Sequence, residues 1–226
     1  MEHVEESVVI LFASLHLDED TAPIFIGSYR GILREIAPSV ICAELSPEQL
    51  AGSMTCHSKP EYAAAVLPVA KELGARIVPI QMPTDEAREW ERKLQGIYQK
   101  YQEGPDKQLC LKYMRSEQEA SAAGMLEVVT DPKAIEYFQT RAYDLVQVRP
   151  HFTALQQVFP ELMGLYDDWN EYFLACIEKT LAESRGERMM VIFCGYHKYW
   201  LWDRLAGRED VELHDLSSYR ALQGKR

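Results

Sequence analysis

Three hydrophilic side chains follow apolar runs in this chain. His16 follows 8–13 (VVILFA), Glu44 follows Val40–Ala43 (VICA), and His197 follows 189–194 (MMVIFC). Two imidazoles and a carboxylate can hold a divalent metal and leave positions open for water, which the metal acidifies. Without metal, the same trio can do acid/base work, with the glutamate orienting or charging a histidine near neutral pH. Asp18, Glu19 and Asp20 follow His16 and offer a further carboxylate. Their plainer role is a solvated loop and helix start, where the dipole favours negative charge.

Other reactive residue types carry weaker patterns. His57 adjoins Cys56, but neighbouring residues rarely orient for proton transfer. Cys194 lies close to His197 and could be a thiol nucleophile, although a small apolar residue finishing a buried strand is the plainer reading. His3 sits near the terminus, and His151 and His214 lack spacing with other ligand types. Gly195 suits a chain leaving a strand and turning sharply into a helix. In the run 167–171 (DDWNE), Asn170 could reach the strand ends from its helix; capping or exposure is the simpler account. Tyr196, Tyr199, Trp200 and Trp202 crowd the segment around His197, and Tyr196 could help wall a ligand. Neither phosphate-binding glycine loop occurs, nor does a Gly-x-Ser-x-Gly elbow; Ser14 stands near His16 without a mark of activation.

The elements that must position these residues follow from periodicity. The runs 8–13, Val40–Ala43, 76–80 and 189–194 are apolar on both faces, as strands buried in a parallel sheet are. A short fifth strand is expected at 211–213. Helical spacing predicts helices over 21–37 and over 60–73, the latter ended by Gly74. The order strand, helix, strand, helix, strand implies right-handed crossovers. Between the third and fourth strands, 84–185 reads as a helical insertion packed on the sheet. Its expected helices are 84–102, capped by Thr84-Asp85-Glu86, then 107–127, 132–148 and 160–184, with a bend between Pro150 and Pro160. A last helix is expected at 198–206. The whole chain, 1–226, reads as one α/β domain: a mainly parallel sheet flanked by helices.

Composition narrows the partners. The 226 residues are 47% hydrophobic and 26% charged, with a formal net charge of −11. A diffuse negative field repels phosphate backbones and anionic lipid, so neither nucleic acid nor a membrane is an expected partner. No stretch reaches the roughly 20 apolar residues that span a bilayer. The acidic start from Met1 does not resemble a secretory signal. The five cysteines show no Cys-x-x-Cys spacing and read as reduced thiols, which points to the cytoplasm.

The segments 13–16 (ASLH), 40–44 (VICAE) and 191–197 (VIFCGYH) resemble those of the superfamily of TraB/GumN proteins, ChaN haem-binding lipoproteins, erythromycin esterases and Tiki proteases. That superfamily has an early strand ending in Gly-x-x-His, a second ending in Glu, a helical middle, and a late strand ending in Gly-x-His or Gly-x-x-His. Ala13 stands in place of the first glycine, and Trp169-Asn170 in place of a frequent Arg-Asn pair. The resemblance implies an ester or peptide hydrolase with His16, Glu44 and His197 binding a divalent metal or activating water, and Asn170 and Tyr196 contacting a small-molecule or peptide substrate. Its alternative implication is a non-catalytic protein binding a small ligand such as haem at the same rim. A third expectation is an inactive interaction module built on the helical insertion.

Overall fold

The computed structural model describes residues 5–17, 20, 22–52, 59–105, 107–109, 111–112 and 131–224. His3, Asp18, Glu19, Cys56, His57, Cys110 and most of the expected helix at 107–127 lie outside them.

Five parallel strands form one sheet: β1 (Ser7–Ser14), β2 (Val40–Ala43), β3 (Arg76–Pro79), β4 (Arg188–Cys194) and β5 (Val211–His214). Their order is β3-β2-β4-β1-β5. Alternation along β1 feeds two cores. Ile10 and Phe12 pack against α1 (Pro23–Ile36), α3 (Leu67–Leu73) and α10 (Leu216–Gln223). Val9 and Leu11 pack on the opposite face against α8 (Pro160–Glu183) and α9 (Lys198–Leu205). Phe173, Ile177 and Leu181 of α8 are buried there, each removal from water stabilising the layer by about 1.5–3 kcal/mol.

This order explains where a site can form. The chain leaving β1 enters α1 on one face and runs toward β2. The chain leaving β4 enters α9 on the other face and runs toward β5. Neighbouring strands whose connections diverge leave a crevice beyond their carboxyl ends. The register pairs Ser14 with Cys194 at its mouth.

Two helices differ from their expected form for one reason. The helix expected at 60–73 holds a π turn at Tyr62–Val66, just before Pro68. Proline lacks an N–H and would clash with the carbonyl four residues back, so a wider turn relieves it. The carbonyl that Pro68 leaves without its helical donor, that of Ala64, accepts from Nε and Nη2 of Arg30 at 2.9 and 2.8 Å. Similarly, a π turn at Asp144–Val148 precedes Pro150. α7 (Arg149–Val158) thus runs through Pro150, and the break expected between Pro150 and Pro160 falls at Phe159. The expected helix 132–148 is instead broken at Gln139 and Thr140, separating α5 (Pro132–Phe138) from α6 (Arg141–Tyr143). The short α2 (Pro47–Leu50) follows β2, and α4 (Thr84–Glu103) begins after Pro83 without a side-chain cap. Thr84 donates to Glu48 Oε2 rather than capping its own helix. No helix among the described residues is long and apolar enough to cross a membrane.

The insertion builds a small core of its own from Val148, Phe152, Leu155, Phe159, Leu162 and Met163. It is tied to the sheet by Lys198, fully buried, whose Nζ donates to the Phe138 carbonyl at 3.0 Å and lies 3.2 Å from Asp144 Oδ1. Replacing Lys198 with Met should strand these acceptors and lower the unfolding free energy by about 3–5 kcal/mol. Urea denaturation checks it; a wild-type midpoint would refute the tether.

Candidate functional site

His16 leaves β1 in the left-handed region, at φ 57°. A β-carbon makes that conformation costly, though His tolerates it better than most residues, and such strain persists only where neighbours impose it. The neighbours are visible. Gln139, fully buried, accepts from the Ala13 N–H at 2.7 Å and donates back to its carbonyl at 2.9 Å. That clasp fixes the end of β1. Beyond it, His16 Nδ1 donates to Glu61 Oε1 at 2.9 Å, and the Ser14 hydroxyl donates to the same oxygen. Glu61 is entirely buried at the start of the helix that the π turn widens.

Glu44 ends β2 with its carboxylate turned inward, 4% exposed. Oε2 accepts the Cys194 N–H at 2.6 Å, and Oε1 lies 2.7 Å from Lys59 Nζ, which also donates to the Glu44 carbonyl at 2.7 Å. Burial opposes this charge. Lys59, His197 and His16 outweigh it and hold the carboxyl down at about 2. His197 follows β4 in a single 3-10 turn, Gly195–His197, that leads into α9. Its Nδ1 donates to Asn170 Oδ1 at 2.6 Å, and its ring meets Phe173 edge-on with centroids 5.1 Å apart. Gly195 is required by packing: a β-carbon there would meet the Phe138 ring at 2.8 Å.

The two imidazoles are driven apart electrostatically. Burial pulls His197 down to about 4, and Lys59 and His16 add to that against Glu44. Burial also works against charge on His16, but the neighbouring Cys194 side chain, the Glu61 hydrogen bond and the Glu44 charge raise it to about 10. At neutral pH one ring is charged and the other is not.

The strand ends therefore bring His16, Glu44 and His197 within electrostatic reach, with Asn170 joined to His197. Tyr196 stands apart: it is 41% exposed and packs toward Phe152 and His151 of α7. Three participants escaped the sequence reading: Lys59, Glu61 and Gln139. Only Glu61 left a trace, as a carboxylate in helical step with the buried Ala65 and Val69.

As arranged, the trio does not fit a divalent cation. Both Glu44 oxygens are engaged, and the Lys59 ammonium already holds the position of positive charge. Among the described residues, no group of three His, Cys, Asp or Glu side chains is spaced to hold a metal ion. Haem fits no better. His197 is 7% exposed, too buried to meet the face of a macrocycle, and His16 is held at Nδ1 by Glu61. Neither family models, curated proteins nor solved structures give a match to this chain.

These charges set a pH dependence. Held neutral in the fold, His197 adds stability that is complete above pH 6.5 and is lost as pH falls toward 4. His16 acts oppositely: its contribution is complete below pH 6.5 and is lost as pH rises through about 10. Urea midpoints measured across pH should fall on both sides of this range. His16→Gln should flatten the alkaline limb and His197→Gln the acid limb between pH 6.5 and 4. Limbs unchanged in both variants would contradict the assignment.

Proposed function

We propose that this protein is a hydrolase of ester or peptide bonds, working at the crevice between β1 and β4 without a metal. What carries the reading is one observation: two imidazoles leave neighbouring strand ends, each oriented through Nδ1 by a partner, Glu61 for His16 and Asn170 for His197. A ring fixed through one nitrogen presents the other in a defined direction. Two titratable groups whose surroundings push them apart divide the work of acid and base. His16, charged at neutral pH, supplies the proton that the leaving group needs. His197, neutral, accepts one from water in the hydrolytic step. Glu44 holds the Cys194 end of β4 in place and supplies the negative field that keeps His16 charged. Asn170 acts through His197, and Tyr196 stands at the exposed margin where a small-molecule or peptide substrate would enter. The resemblance to the TraB/GumN and erythromycin esterase superfamily accords with this reaction class. Ala13 and Trp169 stand where that pattern has Gly and Arg, so an arginine-dependent step is not part of the proposal.

The test is turnover of ester and peptide panels, with a chelator present, by wild type, His16→Gln and His197→Gln. Turnover insensitive to the chelator, and reduced about 100-fold or more in each variant, is expected. No wild-type turnover on either panel, or undiminished rates in both variants, would refute the reading.

A further inference from the structure

One stripe of α8 seats His197. Tyr166, Asn170 and Phe173 recur at helical spacing and so share a face. All three meet the imidazole. Asn170 Oδ1 accepts from Nδ1 at 2.6 Å, and Phe173 meets the ring edge-on with centroids 5.1 Å apart. The Tyr166 ring lies beside it at 6.3 Å between centroids, the planes tilted by 37°. The three differ in depth. Phe173 is fully buried and Asn170 nearly so, whereas Tyr166 is only partly buried. The stripe thus climbs from the core toward the surface, and Tyr166, roughly 6 Å of helix before Asn170, stands at its open end.

Two further elements fix the Tyr166 ring. Phe152 of α7 and Trp90 of α4 each meet it edge-on, with centroids 6.0 Å apart. Trp90 is itself held, its Nε1 donating to the Leu165 carbonyl at 3.0 Å and its ring packed edge-on against Trp169 at 4.1 Å. The ring is caged, yet among the described residues its hydroxyl has no hydrogen-bond partner. The phenol of Tyr62 is different: it donates to the Ile192 carbonyl at 2.9 Å and accepts the Glu44 N–H at 3.2 Å. Burial pushes the Tyr166 phenol up, so it keeps its proton and remains a donor.

Hydrolysis at this crevice builds negative charge on a carbonyl oxygen. His16 serves the leaving group, His197 serves water, and the Lys59 ammonium is engaged by Glu44. None of these serves that oxygen, which needs a donor fixed in place before the reaction.

We propose that Tyr166 is a catalytic residue whose hydroxyl donates to the carbonyl oxygen of the substrate and holds the charge that develops there. This role rests on the hydrolase reading above and supplies the donor which that reading lacks. Asn170 keeps the proton of His197 on Nδ1, so Nε2 is the accepting nitrogen. Water attacks the carbonyl carbon and gives a proton to Nε2 as the new C–O bond forms. The carbonyl electrons move to oxygen, which accepts the Tyr166 O–H without taking its proton. On collapse the bond to the leaving group breaks, and that group departs with the His16 proton. His197 then holds one proton more and His16 one fewer, and exchange with solvent restores both.

The test is Tyr166→Phe, which removes the hydroxyl and keeps the ring in its cage; near-UV circular dichroism checks the fold. With p-nitrophenyl acetate, kcat should fall about 100-fold while KM changes by less than about threefold. Tyr199→Phe, which alters another phenol packed on Phe152 at 5.3 Å, should keep the wild-type kcat. A second arm needs no turnover: calorimetric titration with p-nitrophenyl methylphosphonate, a tetrahedral anion that resembles the ester under attack. Its Kd should rise at least about tenfold in Tyr166→Phe and stay at the wild-type value in Tyr199→Phe. No phosphonate binding by the wild type, or an unchanged Kd in Tyr166→Phe, overturns the role. So does an undiminished kcat in Tyr166→Phe, which leaves the hydrolase reading standing with another donor. Weakened phosphonate binding in Tyr166→Phe, with no wild-type turnover of any ester or peptide, supports Tyr166 as the oxygen's donor and removes the hydrolase reading instead.

Discussion

A carboxylate buried at the end of β2 is the constraint on which this site depends. Glu44 stays ionised under the surface because the Lys59 ammonium and the Cys194 N–H meet its two oxygens. Lost partners would leave an unpaired buried charge, among the costliest defects a fold can carry. The arrangement therefore fixes three things together: the path by which the chain enters the helix at Pro60, the exit of β4, and the sign of the field at the crevice mouth. That field reaches both histidines. It helps hold His16 charged, while burial prevails at His197 despite it.

The helical insertion does more than cover a face. Gln139 clasps both backbone groups of Ala13, and Lys198, directly after His197, holds the carbonyl of the residue preceding Gln139. One buried network thus spans the ends of β1 and β4 and sets their side chains against each other. This is the support that lets His16 persist at a positive φ. Strain at a residue bearing a catalytic type of side chain is tolerated when the surroundings over-determine it.

Much of this architecture was legible in the sequence. Runs apolar on both faces marked the parallel strands. Two histidines and a glutamate placed just after them marked the rim, because an open parallel sheet puts its crevice there. The rest was hidden for physical reasons. Lys59 and Gln139 act across long stretches of chain, and nothing in local spacing reveals a side chain that reaches a distant backbone group. Glu61 was masked by the alanines around it, which made the helix look merely apolar. Cys194 reads as the last small residue of a strand; only the register with β1 brings it beside Ser14. The bend expected between Pro150 and Pro160 falls at the far end of that interval, at Phe159, because a π turn lets the helix run through Pro150.

The charge of His16 underlies the chemistry of the crevice, and nuclear magnetic resonance can follow it directly. Titrating the imidazole ¹⁵N and ¹³C signals of labelled protein should show His16 protonated through pH 8, with its midpoint near 10, and His197 neutral down to about 4. Replacing Glu61 with Gln should move the His16 midpoint downward and leave that of His197 nearly in place. A His16 that titrates near the free value of about 6.5, and does not respond to Glu61→Gln, would contradict the paired site from which the chemistry is argued.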